Sequence, residues 1–146
     1  MIRYYKKEDI DEIAKIIVDD WKIAYRGIID DKVLNNLSYE ERAERIRNKY
    51  RSDKSIVFIE NNDIKGYCRF GENRGDEKQF GEIYALYIKY DERNNGIGKS
   101  LVKEAMQILE SIGYDQILIW CLKENMNARK FYEKIGGVEY SQRKIV

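Results

Sequence analysis

Arg93-Asn94-Asn95-Gly96-Ile97-Gly98-Lys99-Ser100 is the stretch on which the reading of this chain turns. It follows an apolar run, Ile83-Tyr84-Ala85-Leu86-Tyr87-Ile88, and leads into Leu101, Val102, Ala105, Met106, Ile108, Leu109 and Ile112 at helical spacing. A strand therefore feeds a glycine-bearing turn that opens a helix. Such a turn presents free backbone N–H groups, and the helix macrodipole favours an anion there. Gly96 and Gly98 lack Cβ, so a phosphate has room to approach the main chain. Two glycines read equally well as a tight turn with no ligand.

Two common phosphate loops do not fit. The Walker pattern needs a glycine where Arg93 stands, although Gly98-Lys99-Ser100 matches its end. The dinucleotide pattern needs a third glycine where Leu101 stands. The run does match Arg/Gln-x-x-Gly-x-Gly/Ala. A second block, Asn125-Met126-Asn127-Ala128-Arg129-Lys130-Phe131-Tyr132-Glu133-Lys134-Ile135-Gly136, has the form Asn-x-x-Ala-x-x-Phe-Tyr-Glu-Lys-x-Gly. With these two motifs in this order and at this separation, the chain resembles the GNAT N-acetyltransferase family from Met1 to about Tyr140.

Composition bounds the rest. The 146 residues suit one domain, 1–146, with one core. A net charge of +1 argues against bulk nucleic acid as a partner. No run approaches the length of a membrane span, and Met1 to Lys7 has no apolar core of a signal peptide. Cys68 and Cys121 read as reduced thiols of a cytoplasmic protein. Histidine is absent, which removes Ser–His, Cys–His and His–metal chemistry together, and no metal site is expected.

Along the chain, Ile2 to Tyr5 reads as a strand. Asp9 and Glu12 have the spacing of a capping box before a helix carrying Ile10, Ile13, Ala14, Ile17 and Trp21, which ends before Gly27. Ser38 caps a second helix from Tyr39 to Arg51. Strands are expected at Ile56–Glu60 and Ile64–Phe70 around the turn Asn61-Asn62-Asp63, then at Glu82–Ile88. After the long helix ending near Gly113 come a strand at Gln116–Leu122, a helix at Asn125–Ile135 and a strand from Val138 to about Arg143. The order β-α-α-β-β-β-α-β-α-β is mixed α/β. It matches the GNAT fold, a twisted mixed sheet flanked by helices, with the family's final strand apparently missing. An open edge there predicts a homodimer through the C-terminal region.

The resemblance assigns roles residue by residue. Acetyl-CoA would lay its pantetheine arm between Glu82–Ile88 and Gln116–Leu122, bonded by the backbone of Leu86, Tyr87 and Ile88. The N–H groups from Asn94 through Asn95, Gly96, Ile97 and Gly98 to Lys99 would hold its pyrophosphate at the helix that Ser100 continues. Arg93, Lys99 and Arg129 would add charge, and Asn125 would bond the arm or simply cap its helix. Tyr132 stands at the family's general-acid position, beside the departing thiolate, or is a core aromatic next to Phe131. Glu82 is the candidate base, on one strand face with Tyr84 and Leu86, or else a charged strand end in solvent. Trp21, Tyr25, Tyr67, Arg69, Tyr84 and Trp120 are candidates to line the acceptor pocket. The activity implied is acetyl transfer to a primary amine by direct attack in a ternary complex. A protein N-terminus or lysine is the alternative acceptor, and a non-catalytic acyl-CoA-binding module the rival.

Overall fold

The computed structural model of the protein describes all residues except 52, 53, 94 and 139–146. Among the described residues, five strands form one sheet in the order β1-β2-β3-β4-β5: β1 Ile2–Tyr4, β2 Ser55–Glu60, β3 Asp63–Glu72, β4 Gly81–Ile88 and β5 Ile117–Ile119. The first three pairings are antiparallel, and β4–β5 is parallel. Five helices accompany them: α1 Ile10–Ala24, α2 Asp31–Asn35, α3 Tyr39–Asn48, α4 Ile97–Ser111 and α5 Met126–Lys134. The expected mixed α/β architecture is present, with α2 as an addition. Asp30 starts that short helix by accepting from Lys32 N–H at 2.8 Å. The expected strand from Val138 to about Arg143 falls, apart from Val138, outside the described residues.

The sheet carries a core on each face. On one, Ile10, Ile13, Ala14 and Ile17 of α1 and Ala43 of α3 pack on Tyr5, Val57, Ile64 and Tyr67. On the other, Leu101, Val102, Ala105 and Leu109 of α4 cover Ile56, Cys68, Phe70 and Ile83, with Phe131 and Ile135 of α5 against them. Burial of these side chains is the main term holding the layers together. Asn61 and Asn62 make the β2–β3 turn at φ 55° and 65°, as a two-residue hairpin requires.

Three local expectations change. Asp9 does not cap α1: it lies in an αR turn, and its carboxylate accepts from Lys6 N–H at 2.7 Å and Arg3 Nη1 at 2.8 Å. Glu12 instead accepts from Ile64 N–H at 2.8 Å, pinning α1 to the start of β3. Glu82, Tyr84 and Leu86 do not share a face. The register passes from Arg69↔Ala85 to Phe70↔Ile83, so Tyr84 is the extra residue of a β-bulge. Beyond it the alternation is inverted: Ile83, Leu86 and Ile88 meet the α4 core, while Tyr87 meets the α1 core.

Candidate active site

The bulge and a short β5 together create the opening on which the site is built. β4 pairs with β5 only across Gly81↔Ile117, Glu82↔Leu118 and Ile83↔Ile119. The expected strand to Leu122 stops at Ile119 because the chain there turns away from β4. From Tyr84 to Ile88, among the described residues, that edge of β4 has no strand beside it. Lys89 N–H bonds to Lys65 O at 2.8 Å. By the alternation of an antiparallel ladder, the backbone of Tyr87 then points to β3, and that of Leu86 and Ile88 into the opening. An extended amide-bearing ligand fits such an edge as an added strand, through Leu86 and Ile88 but not Tyr87.

At the end of β4 the chain enters α4 through Gly96, whose φ of 80° is costly for any residue with a Cβ. Among the described residues, no side chain caps this helix. The first intrahelical bond is Ser100 N–H to Gly96 O at 3.1 Å, so the N–H groups of Ile97, Gly98 and Lys99 precede the ladder. Ser100 Oγ folds back onto Gly96 O at 3.0 Å and leaves those donors alone. Uncapped donors at the positive end of a 15-residue helix suit a pyrophosphate. Gly98 also has a packing role. A Cβ there would lie 3.1 Å from Phe131 Cζ, so the missing side chain makes room for α5. Asn94 lies outside the described residues, and Asn95 is exposed on the turn.

Two of the three expected phosphate cations are engaged elsewhere. Arg93 pairs with Asp20 of α1 and lies 5.3 Å from the centre of the Tyr90 ring. Arg129 Nη1 donates to Lys123 O at 3.3 Å, back along its own helix entry. Lys99 is exposed beside the uncapped N–H groups. Burial pushes the Asp20 carboxyl above its usual range, and Arg93 pulls it only partly back.

At the other side of the opening stands α5. Asn125 caps it, its Oδ1 accepting from Ala128 N–H at 3.1 Å, and its side chain lies near the Tyr25 phenol. One helix length on, the Tyr132 ring meets Phe131 edge-on at 5.3 Å. Cys121, Cys68, Tyr25 and Tyr87 supply the polar groups nearest its phenol, and burial raises its pKa well above that of an ordinary tyrosine. Tyr132 is thus a protonated O–H donor across the neutral and mildly alkaline range. Trp21 Nε1 donates to Tyr87 OH at 2.8 Å, and the Trp21 and Tyr25 rings lie 4.8 Å apart. Trp21, Tyr25, Tyr87, Asn125 and Tyr132 therefore gather at one opening.

Of the other expected residues, Tyr67, Trp120 and Glu82 do not join them, while Tyr84 stands at the bulge where the opening begins. Tyr67 is 3% exposed, bonded to Ser55 Oγ at 3.0 Å, its phenol pushed up to about 12 by burial; it belongs to the core. Trp120 is 47% exposed just past β5. Tyr84 donates to Glu72 O, and the Arg74 guanidinium lies over its ring at 4.3 Å. Glu82 is no strand end in solvent, at 1% exposed. Its carboxylate accepts from Asn73 Nδ2 at 3.1 Å, Arg74 N–H at 3.0 Å, Arg74 Nε at 3.0 Å and Arg74 Nη2 at 2.7 Å. Four donors on two oxygens tie the β3–β4 connection down and occupy the carboxylate's acceptor sites. Asp20, Arg42 and Arg74 went unnoticed in the sequence because each lies among many other charged residues.

Comparison with known proteins agrees with this geometry. The family model for the acetyltransferase (GNAT) family matches residues 10–137. An uncharacterized N-acetyltransferase of Bacillus subtilis, YuaI, is 29% identical over 125 residues, covering 85% of this chain and 72% of that protein. The spermidine N(1)-acetyltransferase of Thermoplasma acidophilum is 24% identical, covering 92% of this chain and 86% of its own. Among solved structures, the PaiA N-acetyltransferase of Thermoplasma acidophilum in complex with coenzyme A superposes with a TM-score of 0.75 at 21% identity, over 97% of this chain and 92% of that one. The chain belongs to the GNAT acetyltransferase family and is an acetyl-CoA-dependent N-acetyltransferase.

Proposed function

We propose that the protein transfers the acetyl group to a primary amine by direct attack, with both substrates bound together at the β4 opening. One observation carries the reading: a helix N-terminus without a side-chain cap among the described residues and an unpaired strand edge flank a half-buried, protonated phenol. Acetyl-CoA supplies the activated thioester. The N–H groups of Ile97, Gly98 and Lys99 hold its pyrophosphate, and Leu86 and Ile88 bond its arm. Tyr132 presents its O–H where negative charge gathers on the leaving sulfur. With so high a pKa the phenol acts chiefly as a hydrogen-bond donor to that sulfur. Asn125 holds α5 at the opening, near Tyr25.

Glu82 acts as a positioning residue for the β3–β4 connection, and the ammonium's proton leaves through water at the opening. Neither thiol is set up as a nucleophile: burial pushes Cys68 to about 12 and raises Cys121, and both are free. Free thiols agree with a cytoplasmic location, and no helix among the described residues is long and apolar enough to cross a membrane. A single domain over residues 1–146 and a C-terminal homodimer belong to the same proposal. A screen of amines, polyamines including spermidine, amino acids and peptides for CoA release tests the reading. Turnover with at least one primary amine is expected. Tight acetyl-CoA binding with no CoA release from any acceptor would make the protein a binding module instead.

A further inference from the structure

Resting on that reading, we propose that the acceptor is an amine that also carries a carboxylate, and that Arg42 and Arg69 bind the carboxylate. Several arginines of this fold have acidic partners: Arg3 holds Asp9, Arg74 holds Glu82 and Arg93 holds Asp20. Arg42 of α3 and Arg69 of β3 are half-buried on the α1 face of the sheet, and among the described residues neither meets a carboxylate. Each lies against an aromatic ring instead. Arg42 Cζ is 5.9 Å from the centre of the Trp21 ring, and Arg69 Cζ is 5.8 Å from that of Tyr84.

These two cations bracket the stretch of β4 beside the opening. Arg69 stands across from Ala85, just past the bulge, and Tyr67 stands across from Tyr87 on the same face. The charge of Arg42 is felt at Tyr87 and that of Arg69 at Tyr84. Between them Ala85 is the smallest side chain of the row, and it keeps part of its surface in solvent although it sits mid-sheet. The result is a shallow floor with two guanidinium groups at its rim and Trp21, Tyr84 and Tyr87 as walls. A half-buried guanidinium has lost part of its hydration, so a carboxylate that supplies paired acceptor oxygens is the ligand it favours. Of the acids felt at Tyr84 and Tyr87, Glu72 is exposed to solvent at the end of β3 and the other two are paired. Glu82 is occupied by Arg74, and Asp20 by Arg93. A polyamine, which needs uncommitted carboxylates, is the wrong charge for this floor.

The test pairs each amino acid with its own decarboxylated amine as acceptor: leucine with isoamylamine, phenylalanine with phenethylamine and lysine with cadaverine, with spermidine alongside. At least one carboxylate-bearing acceptor is expected to exceed its partner in kcat/KM by about tenfold or more, since a site built for a polar group rejects the analogue lacking it. Arg69→Gln and Arg42→Gln should erase that margin while acetyl-CoA binding, read by calorimetry, stays as it was; Arg69→Lys and Arg42→Lys should retain part of it. A preference for the decarboxylated amines or for spermidine, or a margin that survives both Gln variants, overturns the proposal. A second measurement does not need turnover: calorimetry of N-acetylleucine and N-acetylphenylalanine against their amides, with CoA present. Binding of the acids alone, lost in Arg69→Gln, is expected, and equal binding or none overturns the site. If the acids bind while no amine releases CoA, the carboxylate site stands and the transferase chemistry falls.

Discussion

Tyr132 and Glu82 show how differently two side chains with comparable first claims to chemistry are used. Burial raises the Tyr132 phenol, so it stays protonated above its ordinary range, and its ring already fills a place beside Phe131. Tyr132→Phe keeps the ring and loses the donor. The expected result is a fall in kcat of about 10²-fold, the usual scale for a positioned proton donor, with acetyl-CoA affinity nearly unchanged. The sign of the pKa shift adds a second expectation. A phenol with a raised pKa does not ionise below pH 10, so the wild-type rate should show no alkaline fall assignable to Tyr132 in that range. Glu82 calls for the opposite pattern. Glu82→Gln leaves Arg74, which is largely exposed, without its charged partner and should cost about 2 kcal/mol in a urea titration, as for other hydrogen bonds to a charged group. Because Glu82 is read as positioning rather than as the base, the acid limb of kcat/KM should survive in the variant. Disappearance of that limb would restore Glu82 as the base.

At the scale of elements, α4 and α5 pack against each other beside the opening. Gly98 is where they touch, and a Cβ would meet Phe131 at Cζ, 3.1 Å, and Cε1, 3.3 Å. Gly98→Ala is therefore expected to overpack this junction and cost about 1 to 3 kcal/mol. Phe131→Leu in the same chain should recover part of that loss, and a double-mutant cycle on Tm reads the coupling directly. Purely additive losses would mean that the two side chains do not compete for this space. The same junction shows how far the sequence could be read. The strand–turn–helix around Gly96 was legible because glycine spacing and helical periodicity are local signals. The packing role of Gly98 was not, because its neighbour Phe131 is more than 30 residues away in the chain. The bulge at Tyr84 was illegible for a related reason. Nothing in Ile83-Tyr84-Ala85 marks an extra residue, so strict alternation put Leu86 on the wrong face. The early end of β5 at Ile119 escaped notice because Trp120, Cys121 and Leu122 continue the apolar pattern that the backbone abandons.

Over the whole molecule, one sheet carries a core on each face, and elements of both cores border the β4–β5 opening. On one side α1 reaches the phosphate end through Asp20–Arg93 and reaches β4 through Trp21–Tyr87. On the other, α5 packs on the α4 core through Phe131 and Ile135. β4 and β5 are paired for only three residues before they part. A ligand that bonds the free edge of β4 and the N-terminus of α4 while resting against α5 would tie both halves together. Such a ligand binds the native state and not the unfolded chain, so it stabilises the fold by mass action. At a free concentration of about 100 times Kd, CoA should add about 2.7 kcal/mol. For a domain of this size that is a rise in Tm of roughly 8 °C. Differential scanning calorimetry over a CoA series checks both the size and the logarithmic dependence on concentration. 3′-Dephospho-CoA should give nearly the same rise, since the helix N-terminus is read as holding the pyrophosphate, whereas pantetheine alone should give much less. An equal rise with pantetheine would take the anion contacts of Ile97, Gly98 and Lys99 out of the binding energy and leave only the β4 edge.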